Sequence, residues 1–297
     1  MKKVINVCII ILNWNGLKNT KICLDSVLRI NFDSYKIILV DNGSRGNDYE
    51  VFKKSYGEKI DIYRLNKNLG FTGGVNFGLK IAQKKYHPDY YLLLNNDTTV
   101  DKNFLHALIQ TAYTDKNIGI ISPIIYSQLE KNKILYSGGK IMWPFARPIH
   151  KKEKIIQTKI ATFVTGCCFL ISKELLEKNG LFDERFFAYF EDTAYCLLTT
   201  KAGYKCVVEP KAIVYHQESS SLGKKSKTYT YLFSRNRILF INNYTPRFYR
   251  IYFFFFNFLK LILVESYFFI SHQNQRASAY LQGYLDGNRG IGGEPKL

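Results

Sequence analysis

Unbroken apolar runs, separated by polar turns, dominate the first hundred residues. Residues 4–12 are mostly β-branched and apolar, the pattern of a strand buried on both faces of a parallel sheet. Residues 17–28 place Leu17, Ile22, Leu24, Val27 and Leu28 largely on one side, which predicts a helix. Residues 35–40 predict a second strand, 51–56 a short helix, 60–65 a third strand, 75–85 a helix and 90–94 a fourth strand. This alternation predicts an α/β protein with a doubly wound, Rossmann-like mixed sheet.

Beyond residue 100 the pattern loosens. A helix is expected over 104–113 and a strand over 118–125. Residues 130–160, with Gly138-Gly139, Pro144 and Pro148, suggest a hairpin-rich insertion. A strand is expected over 162–172, a helix over 173–179 closed by Gly180, and another over 193–202 closed by Gly203. Short strands follow over 206–208 and 212–216. A catalytic domain over 1–222 is therefore expected, with a helical tail over 223–297.

The tail differs in character. Residues 229–243 predict a basic helix that stops before Pro246, and 251–271 a Phe-rich one. In the second, Arg250, Asn257, Lys260, Glu265 and His272 fall within about 140° of a helical wheel, taking roughly 100° per residue. The expectation is a helix lying in a membrane interface, with packing on the protein itself or on a second copy as the alternative.

Net charge is +18, which calls for an anionic partner. From residue 219 to 264 the charged side chains before Lys260 are all basic: Lys224, Lys225, Lys227, Arg235, Arg237, Arg247 and Arg250. An anionic membrane surface fits that stretch. No recognisable RNA- or DNA-binding motif interleaves the basic residues, so nucleic acid is not the expected partner. The six cysteines form no C-x-x-C pair, and Cys8, Cys23 and Cys168 lie in apolar stretches, the usage of a reducing compartment. The basic and apolar start imitates a signal peptide but runs into Asn13-Trp14-Asn15-Gly16 with no small-residue cleavage site. A cytoplasmic protein, peripheral at the inner membrane face, is expected.

Candidate chemistry lies at the strand ends, which face one crevice in an open α/β sheet. Asn13, Asn15, Asp41, Asn42, Asn68, Gly70 and Gly74 are candidates for holding a nucleotide. Asp41 suits a base N–H or a ribose hydroxyl, and the glycines suit close approach to a ligand before a helix N-terminus. No loop matches G-x-G-x-x-G or the P-loop, which disfavours a dinucleotide oxidoreductase or a P-loop NTPase. Asn95, Asn96 and Asp97 follow the fourth strand, and Asp97 with His216 suits Mg2+ or Mn2+ when a diphosphate completes the shell. Glu191 and Asp192 stand at the start of a helix, where they are either caps or a general base.

In this order the motifs resemble the inverting glycosyltransferases of family 2, which have the GT-A fold, and in particular the rhamnosyltransferase-like branch. The matching pieces are NWNG at 13–16, VDNGS at 40–44, NKNLGFTGGVNFG at 66–78, LLLNNDT at 92–98, the segment 165–204 with its FED, and VYHQESSS at 214–221. The resemblance covers residues 4–245. It implies that Asp41 contacts the nucleoside and that Asn96 and Asp97 occupy the D-x-D position, with Asp97 on the metal. It implies further that Asp192 is the base, that His216 is a metal or diphosphate contact, and that Gly166 lines the acceptor pocket. The donor would be dTDP-rhamnose or a UDP-sugar, and the acceptor a glycan, lipid-linked, in cell-surface polysaccharide synthesis. NND in place of two or three aspartates leaves a single carboxylate there. A catalytically silent scaffold and a basic nucleic-acid-binding protein are the competing classes.

Overall fold

The computed structural model describes residues 5–217 and 226–297. The start of the first expected strand, Lys224, Lys225, the end of the VYHQESSS motif and the expected boundary at 222–223 lie outside the described residues.

The N-terminal half follows the expected alternation: β1 (Val7–Asn13), α1 (Leu17–Val27), β2 (Tyr35–Asp41), α2 (Asp48–Tyr56), β3 (Asp61–Arg64), α3 (Gly70–Tyr86) and β4 (Tyr90–Asn95). A tight turn leads to β5 (Thr98–Val100), followed by α4 (Phe104–Ala112) and β6 (Ile118–Ser127). The insertion contains β7 (Ile134–Tyr136), a hairpin of β8 (Gly139–Met142) and β9 (Arg147–His150), and β10 (Lys159–Ala161). Then come β11 (Cys168–Ser172), α5 (Lys173–Asn179), α6 (Glu191–Lys201) and β12 (Lys205–His216). The tail is α7 (Lys227–Tyr244), α8 (Arg247–Ile270) and α9 (Asn274–Asn288).

The main sheet runs β10-β12-β6-β11-β4-β1-β2-β3, with β5 on β12 and β7 on β6. Strands β3, β2, β1 and β4 pair in parallel, and β11 enters antiparallel between β4 and β6, so the sheet is mixed. Strand alternation divides the core into two layers. Cys8 and Ile10 of β1 pack with Val75, Leu79 and Ala82 of α3, and Val7, Ile9 and Ile11 pack with α1, α2 and α4.

Several boundaries differ from the sequence expectation, and three of them have a plain physical reason. Helix α3 starts at Gly70 and not at 75, so its glycines lie inside the helix. A Cβ at Gly74 would come 2.4 Å from Leu12 Cδ1, and one at Gly78 2.6 Å from Ile10 Cγ2, so these glycines let α3 sit against β1. Strand β11 begins at Cys168, because the Gly166 N–H leaves the ladder for Asp192 Oδ2 at 2.8 Å. The two short strands expected at 206–208 and 212–216 are one, β12, with a register shift between Glu209 and Ile213 that accommodates Pro210. Helix α9 was not expected at all.

The tail is two environments. Ile238, Leu239, Phe240 and Ile241 of α7 belong to the same core layer as α3. Arg235 and Arg237 are buried, so they do not contribute to the anionic-partner surface read from the sequence. Of α8, the buried residues are Phe253, Asn257 and Phe268. All six cysteines are buried and free.

Candidate active site

An open cleft of about 400 Å³ lies at the carboxyl ends of β1, β2 and β4. From the expected site residues it gathers Asn42, Asn68, Gly70, Asn95, Asn96, Asp97, Glu191, Asp192 and His216. Asn13, Asn15, Asp41 and Gly74 are not in its wall. Gly74 faces Leu12 inside α3, as described above.

Asp41 and Asn13 form a buried polar layer beneath the cleft. Asp41 is 0 % exposed, and its Oδ1 accepts from Asn13 Nδ2 at 3.1 Å and from the Ser44 hydroxyl. Its Oδ2 lies 3.7 Å from Arg64 Nε. Asn13 Nδ2 also donates to Asp48 Oδ2 at 3.0 Å, and its Oδ1 accepts from the Thr20 hydroxyl at 2.7 Å. Thr20 in turn accepts from Asn96 Nδ2 at 2.7 Å. This chain of bonds fixes Asn96 at the cleft wall from residues that never reach it. Asn15 is exposed and is tied to that layer from outside, its N–H donating to the Ser44 hydroxyl at 2.9 Å and its Oδ1 accepting from Arg45 N at 2.9 Å.

Asn42 organises the neighbouring loop. Its amide donates to Asn68 Oδ1 and to Gly70 O, each at 2.9 Å, and its Oδ1 accepts from Leu69 N at 3.0 Å. Gly70 has φ of 74° and its Cβ would meet Phe187 O at 2.4 Å, so only glycine fits there.

Asp97 sits in the turn between β4 and β5, so it is not a helix cap. The β5–β12 ladder pairs Thr98 with His216, and this register brings His216 Nε2 to 3.0 Å from Asp97 Oδ1. A carboxylate and an imidazole facing each other at the cleft form a donor pair that Mg2+ or Mn2+ accepts. Among the described residues no group of three or more His, Cys, Asp or Glu side chains converges, so a cation here needs oxygens from a ligand.

Glu191 and Asp192 open α6, whose N-cap position is Phe190. Asp192 Oδ2 accepts from Gly166 N, and Oδ1 from Thr193 N at 2.6 Å and Thr193 Oγ1 at 3.1 Å. These bonds orient the carboxylate at the cleft. Glu191 is buried, and its Oε2 has no hydrogen-bond partner among the described residues. Burial, and then the neighbouring Asp192 charge, push its carboxyl up to about 8, so it holds its proton at neutral pH.

The model of the family "Glycosyl transferase family 2" matches residues 8–180, more than half of the chain. The chain belongs to glycosyl transferase family 2. Among its relatives, the low-salt glycan biosynthesis hexosyltransferase Agl10 of Haloferax volcanii is 24% identical over 215 residues, 70% of this chain and 67% of that protein. The N-acetylglucosaminyl-diphospho-decaprenol L-rhamnosyltransferase of Mycobacterium tuberculosis is 25% identical over 232 residues, 68% of this chain and 75% of that protein. The structure of GalNAc-T7 with UDP, GalNAc and Mn2+ superposes with a TM-score of 0.61 at 16% identity, over 79% of this chain and 48% of that one. The chain thus spans about half of GalNAc-T7, and the likeness establishes the GT-A fold. Sugar transfer is the activity these relatives have in common.

Several wall residues of this glycosyltransferase were not read from its sequence. Trp14, Phe71, Tyr189 and Tyr229 line the cleft beside the polar groups. Tyr189 and Tyr229 meet edge to face at 5.1 Å. Such rings suit the apolar faces of a sugar or a base. Tyr229 comes from α7, so the tail contributes to the site wall. Its only signal in the sequence was a general richness in tyrosine.

Proposed function

We propose that this glycosyltransferase moves a sugar, with inversion, from a nucleoside-diphosphate donor to a glycan acceptor. The donor class is dTDP-rhamnose or a UDP-sugar, and the acceptor is lipid-linked, at the inner face of a membrane. The observation that carries the reading is that Asp97 with His216, and Asp192 with Glu191, open into one cleft.

Asp97 and His216 would hold a divalent cation, Mg2+ or Mn2+, which supplies positive charge for the departing diphosphate. Asn42, Asn68 and Asn96 would bind the donor with amide groups already fixed by the layer beneath. Asp41 would act on the nucleoside side through that layer. Asp192, oriented by Gly166 and Thr193, would take the proton of the attacking acceptor hydroxyl. Glu191, protonated, would stand beside it without adding a second negative charge. A single displacement of this kind inverts the anomeric carbon.

The tail supports membrane attachment. Helix α8 is long and apolar enough to cross a membrane by length and composition. Its Phe255, Phe258, Ile262, Leu263, Phe269 and Ile270 are exposed. Basic Arg247 and Arg250 at its start favour an anionic lipid surface. A homodimer through the same helix is the second reading, favoured by the same exposed face.

Titration calorimetry with UDP- and dTDP-sugars, with and without Mn2+, tests the reading. Binding of one donor that needs the metal and is lost in Asp97→Ala is expected. Metal-independent binding that survives Asp97→Ala would remove the cation pair. Asp192→Asn is expected to keep donor binding and lose about 10²–10⁴-fold in transfer. Retained turnover in that variant would remove Asp192 as the base.

A further inference from the structure

The carbonyl groups from Arg185 to Tyr189 precede the helix that carries Glu191 and Asp192, and all of them are engaged from outside. Arg185 O accepts from Gly293 N at 2.8 Å and from Arg235 Nη2 at 3.2 Å. Phe187 O accepts from Thr72 N at 3.1 Å. Phe186 O, Ala188 O and Tyr189 O all meet one group, Asn236 Nδ2, at 2.7, 2.7 and 3.0 Å. Asn236 is 0 % exposed on α7. An amide nitrogen has two hydrogens, so one of them is shared between two carbonyls. Asn236 Oδ1 accepts from Arg235 Nε at 3.0 Å, which fixes which end of the amide faces the turn.

The turn needs such holding. Phe187, Tyr189 and Phe190 have φ of 53°, 72° and 74°, and none of them is glycine. Bulky residues stay in this region only where the surroundings over-determine it. Phe190 is also the residue from which α6 starts, so the direction in which Glu191 and Asp192 leave depends on its conformation. Carbonyls drawn to one donor behind the chain turn the following residues toward the cleft. Without that donor Phe186 O would keep only the Ala188 N–H, and Ala188 O and Tyr189 O would lose the Asn236 amide.

We propose that Asn236 is the positioning residue for the candidate base: it gathers the carbonyls of Phe186, Ala188 and Tyr189 and so fixes the turn from which Asp192 enters the cleft. The inference rests on Asp192 being that base. Asn236 is not in the cleft wall and touches no reacting atom. The tail helix therefore governs the chemistry from behind.

Asn236→Asp tests this, because it keeps the volume and replaces the donor by an acceptor facing carbonyls. Asn236→Ser, which keeps one hydroxyl donor, serves if the aspartate variant does not fold. Asn42, Asn68, Asn96 and Asp97 lie on other elements, so affinity for UDP or dTDP should stay within about two-fold. The kcat for nucleoside diphosphate release should fall by about ten-fold or more. Backbone amides of 186–192 should exchange hydrogen faster, while those of β4 stay protected. Parallel losses of nucleotide affinity and kcat would assign Asn236 a general structural role and overturn the proposal. So would unchanged kcat in both variants. Asp192→Asn, measured alongside, separates the two readings. If it remains active, the base assignment fails. If it is inactive beside a fully active Asn236→Asp, only the positioning role fails.

Discussion

Helix α7 buries Tyr231, Leu232, Ile238 and Phe240 against the catalytic unit, whereas the buried residues of α8, the next helix, are Phe253, Asn257 and Phe268. By composition the order should be reversed, since α7 carries Arg235, Asn236 and Arg237 and α8 is mostly aromatic and aliphatic. On α7 the polar groups are inside because carbonyls await them. Ser234 donates to Tyr280 O at 3.0 Å and Arg237 Nε to Phe145 O at 2.9 Å. On α8 the polar Asn257 is turned to the protein, and Phe255, Phe258 and Leu263 are turned away. A helix on a water-soluble surface shows the opposite arrangement. The difference teaches that burial follows hydrogen-bond demand on α7, while the apolar face that α8 turns outward is the one the proposed membrane attachment would use.

Truncation should break the comparison most strongly on α7. Phe240, 0 % exposed and 5.5 Å from the Phe190 ring, should cost about 3–5 kcal/mol as Phe240→Ala. Denaturant unfolding followed by circular dichroism measures it, and a loss under about 1 kcal/mol would mean α7 is not part of the core. The outward face of α8 should respond in partitioning. Phe258→Ser with Leu263→Ser should weaken retention on anionic lipid vesicles by ten-fold or more, at about 1.5–3 kcal/mol for each side chain withdrawn from lipid. Equal retention would point to the dimer reading, which sedimentation then tests.

The turn held by α7 has a pH signature. The Glu191 carboxyl stands at about 8 in the folded chain against an ordinary 4.5, so the folded state keeps a proton that the unfolded state releases. Its contribution to stability is therefore complete below pH 4.5 and is lost as pH rises toward 8. Glu191→Gln should lose less stability across that window than the wild type, read as thermal midpoints at several pH values. Parallel curves would place Glu191 in water. The smallest effect is expected on α8 again, where the same serine pair should change unfolding free energy by less than about 0.5 kcal/mol.

The central parallel strands were legible because burial on both faces leaves a continuous apolar run, as in Val7–Asn13 before its final Asn. The cleft was legible through Asn96, Asp97, Asp192 and His216, since strand ends and helix starts declare themselves by polar clusters. Helix α9 was not, because Gly283 and Gly287 stand on its packed face where apolar side chains would have marked it. Their missing side chains admit α7, with a Cβ at Gly283 falling 2.5 Å from Tyr231 O and one at Gly287 2.8 Å from Arg235 O. Asn236 was illegible for a related reason. A polar residue inside a helix looks like a wet face until its partners, about fifty residues earlier in the chain, are brought beside it. Asp41 read as a ligand contact because a carboxylate at a strand end usually is one, and only the Asn13, Ser44 and Arg64 contacts place it a layer below.

The irregularity between Glu209 and Ile213 in β12 also sets the phase of everything after it. Side chains alternate along a strand, so removing one residue there would rotate His216 to the other face of the sheet. Val214, 0 % exposed, would leave its core layer with it. Asp97 would lose its companion across the ladder. A one-residue deletion in this stretch would thus separate the two halves of the proposed cation pair. A two-residue loss in the same stretch would preserve the alternation and leave His216 facing Asp97.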